Sequence, residues 1–580
     1  MPQTHATYIS AAEDVLSSIS HQFNVDDDCL FNITKAFLRE MAEGLANYGY
    51  PMAMIPTFVT SIPDGSEKGT FLALDLGGTN LRVCEVHLHG DQTFNIRQKK
   101  YKVSDALKTG EVTTLFDYLA DSVDAFLTES GSPSCALPPS LARRESNDGS
   151  LDDDADRPYI PLGLTFSFPV EQTALDSGRL LTWTKGFSAK NAIGKDVVKL
   201  LQDAFDRKNM HVRCVALVND TVGAHLSRAY ASGGCILGAI FGTGTNGAYV
   251  EDITKISKLG NSISGAEGGF MIVNTEWGGF NNSRSALPST SFDNKLDRES
   301  INPRKQAFEK FISGMYLGEV TRNVIISLID TAPKALLFSG HSSNQLNKQW
   351  GVDTALLSEI EEAWVGIGRF APKETNGTGT MNGTETGADT IDETNRAHIT
   401  KQPCSDLEKL ERIRGVIVKR MELPSGVVSL DDAYVVRRIC TLVASRAARL
   451  SACAVAAVLV QTGRARLPKE GVERGVAPLV DEGKCIIVGV DGSLIEFYPH
   501  FGKELRASLR VLVGEEVESR VDIGMAKDGS GVGAALCALV AYRLNLAKQA
   551  HAVYEHEVAN TPPKIRSMEH STLLESLARS

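Results

Sequence analysis

The sequence predicts an α/β protein of two or more lobes, on three observations. Its 580 residues exceed what one hydrophobic core usually supports. Short apolar runs of strand character are interspersed with longer segments of helical spacing. Two Gly/Thr-rich turns, far apart in the chain, each join one apolar run to another, and such a pair suggests two loops gripping the ends of a polyphosphate.

The first turn lies in Phe71-Leu-Ala-Leu-Asp75-Leu76-Gly77-Gly78-Thr79-Asn80-Leu-Arg82-Val83. An apolar run reaches a carboxylate, breaks at two glycines and a hydroxyl, then resumes. Paired glycines let backbone N–H groups approach an anion. Asp75 is placed to hold Mg²⁺, directly or through water, beside phosphate oxygens. Alone, the stretch reads equally well as an ordinary hairpin. The second, Ile236-Leu-Gly-Ala-Ile-Phe241-Gly242-Thr243-Gly244-Thr245-Asn246-Gly247-Ala-Tyr-Val250, repeats its logic.

Composition narrows the function class. A hydrophobic content of 42% with mixed charges marks a soluble globular chain. The net charge of −11 argues against general nucleic-acid binding, which calls for a basic face. Ten cysteines without a C-x-x-C pair fit a reduced, cytoplasmic setting. The polar N-terminus does not read as a signal peptide. The apolar segment 434–460 carries Arg437, Arg438, Arg446 and Arg449, so a buried or amphipathic helix is expected there, not a membrane span.

In order, residues 8–48 read as helices, 71–104 as the opening sheet and 112–130 as a helix. Residues 131–157 read as a Ser/Pro/Asp-rich surface insert. Leu162–Phe166 is a strand running into Ser167 and Pro169. Val212–Val218 is another, delivering Asn219-Asp220-Thr221 to a helix start. Helical spacing returns at 308–329 and 356–370. Residues 373–403 form a low-complexity insert whose two formal glycosylation sequons carry no weight here. Ile486–Val490 is a strand entering Asp491-Gly492-Ser493. Gly529-Ser530-Gly531 opens a small-residue helix; it lacks the rest of a dinucleotide fingerprint, so close backbone packing near a nucleotide is expected. No G-x-x-x-x-G-K-[ST] occurs, which excludes a P-loop. The tail after about residue 547 is polar and expected to be loosely held.

Phosphoryl transfer to an alcohol needs a metal-bound nucleotide, a base for the hydroxyl and donors that hold the acceptor. Asp220, after an apolar strand and before a helix, is the candidate base, with a helix N-cap as its alternative reading. Lys185 sits in Trp183-Thr184-Lys185-Gly186-Phe187, whose Gly and aromatic flanks suggest a turn over a site. Ser167 stands before Pro169, and Glu276 lies in Asn274-Thr-Glu276-Trp277-Gly278-Gly279, the composition of a cleft edge.

Five motifs, in order, carry a family resemblance: Leu74-Asp75-Leu-Gly-Gly-Thr-Asn80-Leu-Arg82, Thr165-Phe-Ser167-Phe-Pro169, Thr184-Lys185-Gly186-Phe187, Val218-Asn219-Asp220-Thr221-Val-Gly223 and Phe241-Gly-Thr243-Gly-Thr-Asn246-Gly247. Over residues 8–545 the chain resembles the hexokinases, and among them the fungal glucokinases. The resemblance implies the actin-like, ribonuclease H-like ATPase fold, with two α/β lobes closing around a sugar/ATP cleft. It implies an N-terminal helical region (1–67), a small lobe (68–219), a large lobe (220–546, with 527–546 a candidate to return to the small lobe) and a polar tail (547–580). It implies that Asp220 takes the proton of the sugar's 6-hydroxyl as that oxygen attacks the γ-phosphoryl of Mg-ATP. Catalytic positions are Asp220 and Lys185; sugar contacts are Ser167, Thr184, Lys185, Asn219, Asp220, Asn246 and Glu276. ATP contacts are Asp75, Leu76, Gly77, Gly78, Thr79, Asn80, Lys100, Thr243, Thr354, Gly492 and Ser493, with Asp75 toward the metal. Glucose and ATP are the expected partners, without nucleic acid or membrane, in a cytoplasmic monomer or homodimer.

One stretch departs from the family. Where it usually carries Asp-Glu-x-Ser-x-x-Pro-Gly, this chain has Asp297-Arg298-Glu299-Ser300-Ile-Asn-Pro303-Arg304. Arg298 takes the glutamate's position and Glu299 follows it, which makes Glu299 the candidate sugar contact. The rival reading is a catalytically silent sugar sensor; Asp220, Lys185 and Asp75 all being present favours the enzyme.

Overall fold

The computed structural model describes residues 14–77, 80–129, 159–183, 186–260, 269–370, 405–467 and 483–560. The expected inserts at 131–157 and 373–403 lie outside these residues.

Thirteen strands are described: β1 (Ile55–Pro56), β2 (Lys68–Leu76), β3 (Asn80–His89), β4 (Phe94–Lys102), β5 (Ile160–Phe166), β6 (Val170–Ala174), β7 (Ser177–Leu180), β8 (Val212–Val218), β9 (Leu237–Phe241), β10 (Thr245–Asp252), β11 (Phe270–Asn274), β12 (Ile486–Asp491) and β13 (Val521–Met525). They form a five-stranded sheet ordered β4-β3-β2-β5-β8, a six-stranded sheet ordered β1-β11-β10-β9-β12-β13, and the separate β6-β7 pair. The two large sheets repeat one plan. In each, three antiparallel strands form a meander, and two parallel strands add beside its first strand. Each meander opens with one of the two Gly/Thr hairpins, so the internal repetition in the sequence is a repetition of topology. This is the two-lobed, actin-like α/β architecture.

The central strands are apolar on both faces because helices cover both. Helices α1 (Asp27–Ala46), α2 (Val112–Glu129), α3 (Val197–Arg207), α4 (Asp220–Ser232), α5 (Ser291–Glu299), α6 (Ala307–Ile312), α7 (Gly314–Ile329), α8 (Ala355–Val365), α9 (Asp406–Arg420), α10 (Leu430–Gln461), α11 (Phe501–Val513) and α12 (Gly529–Asn560) matter below. Helices α2 and α3 share one core with the five-stranded sheet. Its other face packs with α4 and α12. The remaining core gathers the six-stranded sheet with α1, α10 and α11. Helix α10 is long and apolar enough to cross a membrane, but it is buried along most of its length.

Helix α12 returns from the end of the chain to the small sheet, and small residues make that possible. A Cβ on Gly163 of β5 would lie 2.1 Å from the Ala534 carbonyl oxygen. At the helix start, a Cβ on Gly529 would lie 2.9 Å from Cα of Ala224 in α4. The close backbone packing expected of this glycine-rich stretch is therefore packing against α4. The helix continues to Asn560, past the expected start of a loose tail, because Ala, Lys, Gln and Glu in 547–560 are good helix formers.

Candidate functional site

The β2–β3 hairpin is closed by Gly77 N–H donating to Asn80 O at 3.1 Å; Gly78 and Thr79 lie outside the described residues. Register sets Asp75 opposite Arg82, and Arg82 opposite Lys100. Cross-strand partners share a face, so these three side chains form a row. Asp75 is buried, and Arg82 Nε donates to its Oδ2 at 2.9 Å. Lys100 is exposed and Leu76 is buried.

The β9–β10 hairpin meets three further segments. Gly314 N–H donates to Gly242 O at 2.7 Å, and Met315 N–H to Thr243 O at 3.0 Å. Gly492 has φ 119°, and a Cβ there would lie 2.5 Å from the Phe241 carbonyl carbon. Only glycine fits that approach. Thr354 Oγ1 donates to Gly314 O at 2.6 Å and accepts from Gly318 N–H at 2.9 Å. Thr243, Thr354, Gly492 and Ser493 are thus brought together around the start of α7. The Thr354 hydroxyl proton is already committed to Gly314, so this side chain fixes the segment.

Asp220 opens α4, where Asn219 is the N-cap; the Oδ1 atoms of Asn219 and Asp220 accept from Thr221 N–H at 3.0 and 2.9 Å. A carboxylate in a first turn is favoured by the exposed N–H groups and the helix dipole. Asp491, ending β12, has its pKa raised by burial first and then by the charge of Asp220, with Arg82 pulling it the other way. Those couplings place Asp220, Asp491 and the Asp75–Arg82 pair in one electrostatic neighbourhood. Three carboxylates therefore stand at or just beyond the ends of strands from both sheets.

Beside them lies a polar group. Asn246 Nδ2 donates to Asn274 Oδ1 at 2.8 Å and to Glu276 Oε1 at 3.2 Å, and Asn274 Nδ2 donates to the same Glu276 oxygen at 2.8 Å. Glu276 has φ 54°, a conformation that costs roughly 1–3 kcal/mol and persists only where surroundings enforce it. Here Trp277 enforces it, buried with Nε1 on Thr245 Oγ1 at 3.0 Å. Asn219, Asn274 and Glu276 line one small cavity with Phe166 and Phe168, the neighbours of Ser167. Its volume of about 10 Å³ is the space of roughly one water. Thr184 and Lys185 lie outside the described residues. Their flanks are anchored near Ser167, with Trp183 and Phe187 each 5.0 Å from the Phe168 ring.

Glu299 is the last residue of α5. It is exposed, with Oε1 3.3 Å from Arg298 Nη2. Arg298 is more exposed still, at 68% of its side chain. The turn after them is pinned by Asp297, which accepts from Lys310 Nζ at 2.8 Å and from Arg304 N–H at 3.1 Å and pairs with Arg284 at 2.7 Å. Arg304 has φ 60°, a left-handed conformation that suits the family's glycine.

Arg82, Asn274 and Asp491 join the site without having been singled out as site residues in the sequence. The signal for Asp491 was present, since it ends an apolar strand before a glycine turn, as Asp75 and Asp220 mark the ends of theirs. Asn274 carried only the hint of standing two residues before Glu276.

Two family models, each described as hexokinase, match residues 15–230 and residues 236–369 with 378–540. The glucokinase of Aspergillus niger is 39% identical, covering 92% of this chain and 98% of its own. Glucokinase-1 of Saccharomyces cerevisiae is 35% identical, covering 93% and 99%. A solved hexokinase of Schistosoma mansoni complexed with glucose superposes with a TM-score of 0.68 at 30% identity, covering 91% of this chain and 99% of that one.

Proposed function

This chain belongs to the hexokinase family and transfers a phosphoryl group from ATP to a hexose; we propose that the hexose is D-glucose, converted at its 6-hydroxyl to glucose 6-phosphate as the first step of glycolysis. The convergence of Asp75, Asp220 and Asp491 at strand ends of both sheets, beside the Asn246–Asn274–Glu276 group, carries the reading. It supplies a carboxylate base next to groups that hold hydroxyls.

In this reading Asp220 accepts the 6-hydroxyl proton, and Lys185 stabilises the charge that develops during transfer. Ser167, Thr184, Asn219, Asn246 and Glu276 hold the remaining hydroxyls, with Glu299 a further candidate from the end of α5. Neutral amides and a carboxylate suit sugar hydroxyls, which both donate and accept. Thr243, Gly492, Ser493 and the stretch Asp75 to Asn80 are the proposed ATP contacts, although Gly77 N–H is given to Asn80 O and Gly492 N–H to Asp491 Oδ1, and Lys100 adds charge from the neighbouring strand.

The donor chemistry fits Mg²⁺. The carboxylates are hard oxygen donors, and Asp220 already opposes ionisation of Asp491, a repulsion that a cation relieves. Mg²⁺ is commonly held by one or two carboxylates together with substrate phosphates and water. With Asp75 Oδ2 engaged by Arg82, Asp75 would hold it through water. Bound Mg²⁺ supplies charge neutralisation on the transferring phosphates.

Among the described residues eight cysteines are free, six of them buried; a cytoplasmic location remains part of this proposal. The test of function is a coupled assay for ADP and sugar phosphate with purified protein, Mg-ATP and glucose. Glucose-dependent ADP release with stoichiometric sugar phosphate is expected. Glucose binding without turnover on glucose, mannose or fructose would instead establish a sugar sensor.

A further inference from the structure

Lys258 lies in the short turn Ser257–Leu259 that follows β10. An ammonium has three donors, and here all three are spent on backbone. Nζ donates to Gly44 O at 2.8 Å, to Ala53 O at 2.7 Å and to Met54 O at 2.6 Å. The Tyr48 ring adds a cation–π contact, 5.1 Å from its centroid. No carboxylate pairs with Lys258 among the described residues. This lysine is a clamp on backbone, not half of an ion pair.

The clamped segment backs the Glu276 turn. Residues 51–54 are wedged between α1 and that turn: a Cβ on Gly44 would lie 2.3 Å from Met52 O, and one on Gly279 would lie 2.3 Å from Pro51 O. Met54 has φ 47°, a left-handed conformation that a residue with a Cβ keeps only where its surroundings enforce it. Its carbonyl accepts from Lys258, and its N–H donates to Thr275 O at 3.1 Å. That oxygen belongs to the peptide joining Thr275 to Glu276, which is itself left-handed at φ 54°. One residue therefore links the lysine to the backbone of Glu276. The next residue, Ile55, pairs in β1 with Asn274, the other partner of Asn246.

We propose that Lys258 is a positioning residue for the sugar site: by fixing Met54 it sets the Thr275–Glu276 peptide, and with it the reach of Glu276 toward a sugar hydroxyl, without bonding to Asn246, Asn274 or Glu276 itself. The inference rests on the reading of Glu276 as a sugar contact. Without the ammonium three carbonyls lose a donor, and Met54 is free to relax out of the left-handed region. Glucose affinity then falls, while the phosphate-binding hairpins are left as they were.

The test uses the full-length Lys258→Met protein, which keeps the aliphatic stem and loses the donors. Hydrogen–deuterium exchange without sugar should be at least about fivefold faster in peptides covering 50–56 and 273–280, and unchanged in α2 and α4, which marks an intact fold. Glucose Kd, read by intrinsic tryptophan fluorescence, should rise at least about fivefold, with Kd for Mg-ATP unchanged. Combined with Glu276→Gln, the same substitution should shift glucose Kd less than about twofold, because two residues acting through one contact are not additive. Lys258→Gln, which keeps two donors, should fall between the two proteins in both measurements. Unchanged exchange at 273–280 would overturn the role of Lys258 whatever the sugar does. So would an equal loss of glucose affinity in the native and Glu276→Gln backgrounds, or an equal loss of Mg-ATP affinity. An unchanged glucose Kd in Glu276→Gln alone would instead remove Glu276 as the sugar contact, and the proposed role of Lys258 with it.

Discussion

Asp491 ends a strand of the six-stranded sheet, Asp220 follows one of the five-stranded sheet, and the charge of Asp220 helps hold the Asp491 carboxyl above its usual range. The two carboxylates come from different places in the repeated plan: Asp491 ends the parallel strand beside the meander, whereas Asp220 follows the outer parallel strand, and each stands at or just before a helix start. Arg82 reaches the same neighbourhood through Asp75. The base, the repulsion and its compensation thus all follow from strand ends.

Removing the base should abolish turnover and spare binding. Asp220→Ala is expected to lower kcat by at least ~10²–10⁴-fold, the contribution of a positioned base. Glucose binding, read by intrinsic tryptophan fluorescence, should survive in weakened form. Activity within tenfold of wild type would rule Asp220 out as the base.

Asp491 should show its cost in the pH dependence of stability. Its raised pKa means that the folded state binds the proton more tightly than the unfolded chain does. Its contribution is therefore favourable below the unfolded carboxyl pKa of about 3.9 and is lost as pH rises through the higher folded value. Asparagine carries no charge and can still accept from Gly492 N–H, as Asp491 Oδ1 does at 2.7 Å. Asp491→Asn should stabilise the protein at pH 7.5 and lose that advantage near pH 4. Urea unfolding at both values is the measurement; an identical difference at both would sink the idea.

A buried ion pair should prove indispensable once formed. Arg446 of α10 meets Asp293 of α5 with two parallel bonds of 2.8 and 2.7 Å, and its guanidinium lies 4.5 and 4.7 Å from the Phe23 and Phe311 rings. Burial alone would raise the Asp293 pKa, but Arg446 and Thr290 pull it below the usual range. Arg446→Met strands that carboxylate and is expected to cost about 3–5 kcal/mol in chemical unfolding. A loss under 1 kcal/mol would mean that water reaches Asp293.

The hairpins, the strand ends and α10 are legible in the sequence because each is local: a periodicity, a glycine pair, a carboxylate after an apolar run. The return of α12 to the small sheet has no local signal, since it depends on Gly163 meeting Ala534 across 371 positions of chain; only the family resemblance made 527–546 a candidate for it. Helix α1 is similar. Its amphipathic spacing is plain, but nothing local shows that Phe37 packs 4.5 Å from Phe280, just beyond the Glu276 turn. The site follows the same division. Asp75, Asp220 and Glu276 stand in recognisable motifs, whereas Asn274 and Arg82 acquire roles through cross-strand neighbours.

The departure at Arg298 and Glu299 gives the sharpest test of sugar recognition. Both sit on the last turn of α5, exposed and paired with each other at 3.3 Å, while Asp297 holds the following turn through Lys310 and the Arg304 N–H. A carboxylate is needed to accept from sugar hydroxyls, and a guanidinium only donates. If Glu299 supplies it, its side chain must leave Arg298 when glucose binds. Glu299→Gln should then raise KM for glucose several-fold or more, since a charged acceptor contributes roughly 1.5–3 kcal/mol, with kcat less affected. Arg298→Ala should change KM little, and any change should be a decrease, because it frees the carboxylate. The reverse pattern, with Arg298 sensitive and Glu299 silent, would show a pocket rebuilt around a cation and suited to a different acceptor.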